Sequence, residues 1–126
     1  MYLSDFHKKY KISLFIWLIT LTIMVLAIII IGGLTRLTDS GLSMVDWRPI
    51  LGTIPPLSNS DWNAVFDLYK QTPEYLIVNK NMEINEFKYI FWWEWFHRFF
   101  ARMIGIVFLL PFLYFTDFSN FSILRP

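Results

Sequence analysis

The sequence predicts an all-α integral membrane protein, with two transmembrane helices joined by a structured outer loop that carries short interfacial helices. Three observations predict it. Residues 12–35 run for 24 positions without a charge, and at 1.5 Å per residue such a helix reaches about 36 Å, enough to cross a hydrocarbon layer of about 30 Å. A second stretch, residues 89–115, is almost wholly apolar and aromatic. The composition, 56% apolar and 20% aromatic in 126 residues, holds more oily surface than a soluble core of this size can hide.

Residues 1–11 read as an amino terminus on the cytoplasmic or matrix side, because Lys8, Lys9 and Lys11 flank the first span and positive charge stays inside. A cleaved signal peptide is the rival reading. The apolar region is too long for one and no small-x-small cleavage site follows, so residues 12–35 are read as a retained helix. Residues 36–88 then lie on the outer side. Trp47, Trp62, Phe66, Tyr69 and Tyr75 supply anchors there, and Asp39-Ser40-Gly41 and Thr53-Ile54-Pro55-Pro56 read as turns. Asn59-Ser60-Asp61 predicts the cap of a short helix over 62–71, with Trp62, Phe66 and Tyr69 on one side. Thr72-Pro73 is expected to stop it, and its aromatic side is expected to lie on the membrane surface. The second long helix begins near Glu86 and crosses as residues 89–115, with Pro111 bending its last turn. Residues 116–126 read as a polar tail.

Composition also excludes. There are no cysteines, which removes disulfides, thiolate metal sites and thiol nucleophiles together. The net charge is +1, and no basic run exceeds Lys8, Lys9 and Lys11, so nucleic acid is not an expected partner. A metal here must be held by carboxylates or by His7 and His97, the two histidines of the chain.

The chemistry concentrates in Glu94-Trp95-Phe96-His97-Arg98, with Arg102 one turn beyond. Each ionisable group costs roughly 2.5–3.5 kcal/mol at the centre of a membrane helix. With Glu94 at zero on a wheel of about 100° per residue, His97 falls near −60°, Ala101 near −20°, Gly105 near +20°, Arg98 near +40° and Arg102 near +80°. The polar groups share one arc with two small residues, which would let a flat cofactor or another helix approach. Two readings stand at this point. Glu94 and Arg98 form an i,i+4 surface pair while the arginines snorkel and the tryptophans make an interfacial belt; or the arc is a site, with His97 a ligand or proton carrier. Gly32-Gly33 is either a packing notch or the fraying end of the first helix. Arg36 is either a headgroup anchor or the partner of a propionate or phosphate.

The run Gly32-Gly33-Leu34-Thr35-Arg36-Leu37-Thr38-Asp39-Ser40-Gly41-Leu42-Ser43 resembles the haem A synthase family, membrane enzymes that convert haem O to haem A. So do Trp47-Arg48-Pro49-Ile50 with Gly52 and Pro55-Pro56, then Pro73-Glu74-Tyr75, Glu86-Phe87-Lys88, and Glu94-x-x-His97-Arg98 with Arg102. These cover about residues 31–111 in order. Departures are Ala101, where relatives usually carry glycine, the lack of cysteine, and a tail at 117–126 that is expected to leave the family pattern.

The resemblance implies eight transmembrane helices in two similar four-helix halves, of which this chain carries the first two. It implies oxidation of a methyl group of haem O to a formyl group by successive hydroxylations. By motif, His97 is an axial ligand to haem iron and Glu94 assists catalysis, by stabilising positive charge or by handling a proton; Arg98 and Arg102 either pair with haem propionates or brace the structure, and Arg36 is a further cofactor-binding candidate. The implied cofactor is haem b, with haem O as substrate; the implied partners are haem, lipid, and the remaining helices of the enzyme or another copy. The implied location is a bacterial or mitochondrial inner membrane. With the partner histidine and the second half missing from these residues, the chain is expected to be inactive alone. The alternatives are a b-type haem carrier and an accessory membrane protein without catalytic activity.

Overall fold

The computed structural model describes residues 2–46 and 51–123, with side chains over 10–46 and 52–116. The predicted motif Trp47-Arg48-Pro49-Ile50 lies outside the described residues. All regular structure among the described residues is helical: α1 (Tyr2–Leu37), a 3-10 turn (Leu51–Thr53), α2 (Asn59–Tyr69), α3 (Pro73–Ile77) and α4 (Ile84–Ile123). Within α1 and α4, the stretches Tyr10–Leu37 (28 residues) and Ile84–Thr116 (33 residues) are long and apolar enough to cross a membrane. The described residues thus form an all-helical arrangement with two helices of membrane-crossing length and hydropathy.

Helix α1 continues four residues past Gly33, so the two glycines are not its fraying end. It closes on a left-handed residue, Asp39, at φ 50°. The Ser40 N–H reaches back to the Thr35 carbonyl at 3.0 Å and the Asp39 N–H to that of Arg36 at 3.2 Å. This paired 6→1 and 5→2 arrangement satisfies carbonyls that the helix end would leave bare. It also turns the chain sharply, so that Ser40 to Met44 run back toward α4.

The described residues group into two units, 30–100 and the flanking 1–29 with 101–126. In the first, Trp62, Phe66 and Tyr69 of α2 pack on Phe87, Ile90 and Phe91 of α4, and all six are buried. The spacings are those of one helix face. Ring centroids lie 4.9 Å apart for Tyr69–Phe87, 5.0 Å for Phe66–Phe87 and 5.0 Å for Trp62–Phe91. The aromatic side of α2 therefore makes a core with α4 instead of lying on the membrane surface, because α4 offers a matching aromatic stripe. The Tyr69 hydroxyl accepts from Asn79 Nδ2 at 2.8 Å, while burial pushes its phenol above the ordinary value.

Local capping moves the predicted boundaries. Ser58, not Asn59, caps α2: the Asp61 N–H donates to Ser58 Oγ at 3.1 Å and the Ser58 N–H donates to Asp61 Oδ2 at 3.0 Å, a reciprocal capping box. Hydrogen bonding to the Asp61 carboxyl from Ser58, its side chain first and its backbone N–H second, holds that group below its ordinary range. Thr72-Pro73 starts α3 as well as ending α2, since Thr72 caps it and proline occupies its first turn.

In the flanking unit, α1 and α4 pair through aromatic side chains. Tyr10 meets Tyr114 and Phe115 edge-on, at 6.5 and 6.1 Å between centroids, and Trp17 lies 6.0 Å from Phe108. Pro111 does not end α4, which runs on to Ile123 through most of the predicted polar tail. Lacking an N–H, Pro111 leaves the carbonyl four residues back without its helical donor. That carbonyl belongs to Val107, and the Trp17 indole N–H donates to it at 2.8 Å. A carbonyl that would otherwise lack a partner in an apolar surrounding thus becomes a tie between the two helices.

Candidate functional site

The stripe that buries Phe87, Ile90 and Phe91 continues one turn further to Glu94, which is 3% exposed. A buried carboxylate needs donors, and three converge on it. Ser43 Oγ lies 2.7 Å and the Met44 backbone N–H 2.9 Å from Oε2; Arg98 Nη2 holds Oε1 at 2.5 Å. Ser43, itself buried, also lies within reach of the Ser40 and Ile90 carbonyls, at 3.2 and 3.3 Å. Its single proton goes to the closest and only charged acceptor, the carboxylate. The i,i+4 pair that spacing allowed therefore has a buried carboxylate and a half-buried guanidinium, with a second anchor reaching Glu94 from a segment 50 residues earlier in the chain.

Glu94, His97 and Arg98 line a cleft of about 490 Å³ together with Gly32, Thr35, Arg36, Asp39 and Glu74. Four of the five predicted site residues thus come together: Glu94, His97, Arg98 and Arg36. Arg102 is not among the lining residues; its Nη1 is buried without a hydrogen-bond partner among the described residues. The small residues expected on the His97 arc, Ala101 and Gly105, face open space. Ala101 is exposed, and a Cβ on Gly105 would meet nothing within 4 Å. Gly32 of α1 lies directly against the imidazole, since a Cβ there would stand 3.2 Å from His97 Nε2.

The cleft's donor set suits one face of a haem. It offers an imidazole for iron, a guanidinium on Arg36 for a carboxylate, and a bare backbone at Gly32 where a side chain would crowd the ring nitrogen. Among the described residues no three His, Asp or Glu side chains gather to hold a bare metal ion.

Ser43, the Met44 N–H, Asp39 and Glu74 were not singled out as site residues from sequence. Ser43, Asp39 and Glu74 fall within the motifs that carried the resemblance, but the distance in sequence between Ser43 and Glu94 gives no periodic signal that could pair them.

Comparison with known proteins identifies the family. The family described as Cytochrome oxidase assembly protein matches residues 15–125. The match runs almost to the end of the chain, so the tail at 117–126 does not leave the family pattern as expected. The chain is 56% identical over 100 residues to a heme A synthase of Nitrosospira multiformis, covering 79% of this chain and 28% of that protein. To the heme A synthase of Nitrosomonas eutropha it is 50% identical over 113 residues, 90% of this chain and 32% of that protein. The protein of the same name from Parvibaculum lavamentivorans is 50% identical over 100 residues, 79% of this chain and 29% of that protein. The chain thus spans about three tenths of the length of these relatives. No solved structure matches it. On the family match, and on the relatives that share half or more of their aligned residues, the chain belongs to the cytochrome oxidase assembly protein family.

Proposed function

We propose that this chain forms one wall of the site at which a methyl group of haem O is oxidised, by successive hydroxylations, to the formyl group of haem A. The observation that carries this reading is the meeting of His97 and the thrice-bonded Glu94 in one cleft. When bound, haem supplies the iron and the porphyrin substituent that reacts; we assign haem O to the His97 side and haem b as resident cofactor of the complete enzyme.

The chain's own residues then have separable parts. His97 offers its ring nitrogen as axial ligand. Arg98 is engaged by Glu94, so Arg36 in the cleft, and Arg102 with its unpartnered Nη1, are the cations assigned to haem carboxylates. Both Glu94 oxygens already accept hydrogen bonds, which suits a fixed negative charge better than a proton shuttle. A preorganised carboxylate stabilises positive charge where it develops as the substituent loses electrons. We place the protein in the bacterial inner membrane, with Lys8, Lys9 and Lys11 on the cytoplasmic side.

The test joins this chain to the remainder of the Nitrosospira multiformis heme A synthase and measures haem A by mass spectrometry. The chimera is expected to make haem A, His97→Ala to abolish it, and Glu94→Gln to lower it by roughly a hundredfold. Haem A at the unsubstituted level in the His97→Ala chimera would sink the reading. The chain alone, supplied with haem O, is expected to yield no formyl haem.

A further inference from the structure

We infer that Gly32 sets the clearance around His97 Nε2, so that the bare backbone of α1, not a hydrogen bond, positions the imidazole for its ligand. The inference rests on the reading of His97 as a haem-iron ligand.

Metal-binding histidines usually donate their second ring nitrogen to a carboxylate or carbonyl, which fixes the ring. His97 makes no such bond among the described residues. What lies against it is Gly32: a Cβ built there would stand 3.2 Å from Nε2 and 3.8 Å from Cδ2. The shorter distance is inside ordinary van der Waals contact, and it falls on the nitrogen that would face the ligand. The ring has little freedom to retreat as a whole. Its helix is pinned one turn away, where Glu94 is held by Ser43, Met44 and Arg98. An added methyl must therefore either tilt the imidazole or occupy space that the iron's approach to Nε2 requires.

Gly33 supplies an internal control. It is the next residue on the same helix, yet a Cβ there would meet nothing within 4 Å. Both glycines lie inside α1, and alanine favours a helix over glycine, so substitution at either keeps the helix. Two adjacent and chemically identical positions thus predict opposite results.

The experiment places the full chain in lipid nanodiscs, titrates it with haem b, which presents the same iron and propionates as haem O, and follows the Soret band. The unsubstituted chain is expected to bind, and His97→Ala to lose binding. Gly32→Ala should weaken it roughly tenfold, the low end of what disturbed ligand positioning costs, and Gly32→Val should match His97→Ala. Gly33→Ala and Gly33→Val should bind as the unsubstituted chain does. If the Gly32 and Gly33 variants bind alike while His97→Ala does not bind, the clearance inference is wrong and the ligand reading survives.

If His97→Ala takes up haem b as well as the unsubstituted chain, or neither does, haem uptake no longer reports on His97. The clearance is then decided by diethyl pyrocarbonate modification of His97, read by mass spectrometry with His7 as internal reference. Gly32→Val should slow His97 modification severalfold and Gly33→Val should leave it unchanged; equal rates in both variants overturn the inference.

Discussion

Each of the two units of this chain is held together internally, and by different means. In the flanking unit, α1 and α4 present apolar side chains outward, as Ile12, Phe15, Leu26 and Leu110 do, and meet each other through rings and the Trp17–Val107 bond. Lipid is as apolar as those side chains, so little hydrophobic drive favours one helix contact over another. Within 30–100 the opposite holds. There a six-residue aromatic and aliphatic core is buried, and Thr35, Ser40, Ser43 and Glu94 are buried with it. Burying polar groups requires partners of defined geometry, which is what makes this unit able to hold a site. The comparison teaches that membrane helices give the chain its frame, while the segment between them gives it specificity.

The largest effect should come from Phe87→Ala, which removes the ring that Phe66 and Tyr69 both pack against. A loss of about 3–5 kcal/mol is expected, read by denaturant titration in micelles as early loss of the near-ultraviolet aromatic signal. If the signal melts unchanged, the outer core is not what stabilises this unit.

Ser43→Ala should cost about 1–3 kcal/mol, because it leaves a buried carboxylate one donor short. Infrared spectroscopy should show the Glu94 carboxylate band shifted, whereas Ser60→Ala, at an exposed residue, should leave it in place. An unmoved band in Ser43→Ala would break the link between the two segments.

Trp17→Phe keeps a ring but removes the indole donor, exposing the carbonyl that Pro111 leaves bare. The cost should be about 1 kcal/mol. Restoring the backbone donor with Pro111→Ala should make Trp17→Phe nearly silent, a coupling measurable by a double-mutant cycle.

Smallest is the pH response of α2. The Asp61 carboxyl titrates below its ordinary value in the folded chain because of its bonds with Ser58. Its contribution is therefore present above the ordinary carboxylate value and is lost as pH falls through the lower, folded one. Circular dichroism should show helix lost on acidification, and Asp61→Asn should flatten that part of the profile.

Much of the frame was legible in the sequence. Uncharged length marked the first span, and Glu94, His97 and Arg98 stood out because charge is conspicuous among apolar residues. Arg36 came from a motif. The start of α2 was expected at Trp62 and lies at Asn59, since Ser58, Asn59, Ser60 and Asp61 are all capping types and only the reciprocal bond with Asp61 singles out Ser58. The aromatic side of α2 was legible as a face, but not what it would cover.

By itself, then, the sequence determined two long apolar helices, a structured segment between them and a conspicuous Glu94–His97 pair, because hydrophobic length and helical spacing are local properties. Only the tertiary structure decided that Ser43 and the Met44 N–H would hold Glu94, that Gly32 would lie against His97, and that Trp17 would serve the carbonyl Pro111 exposes. Those pairings depend on how the left-handed turn at Asp39 redirects the chain and on which faces of α1 and α4 meet. Neither leaves a periodic trace in the order of residues.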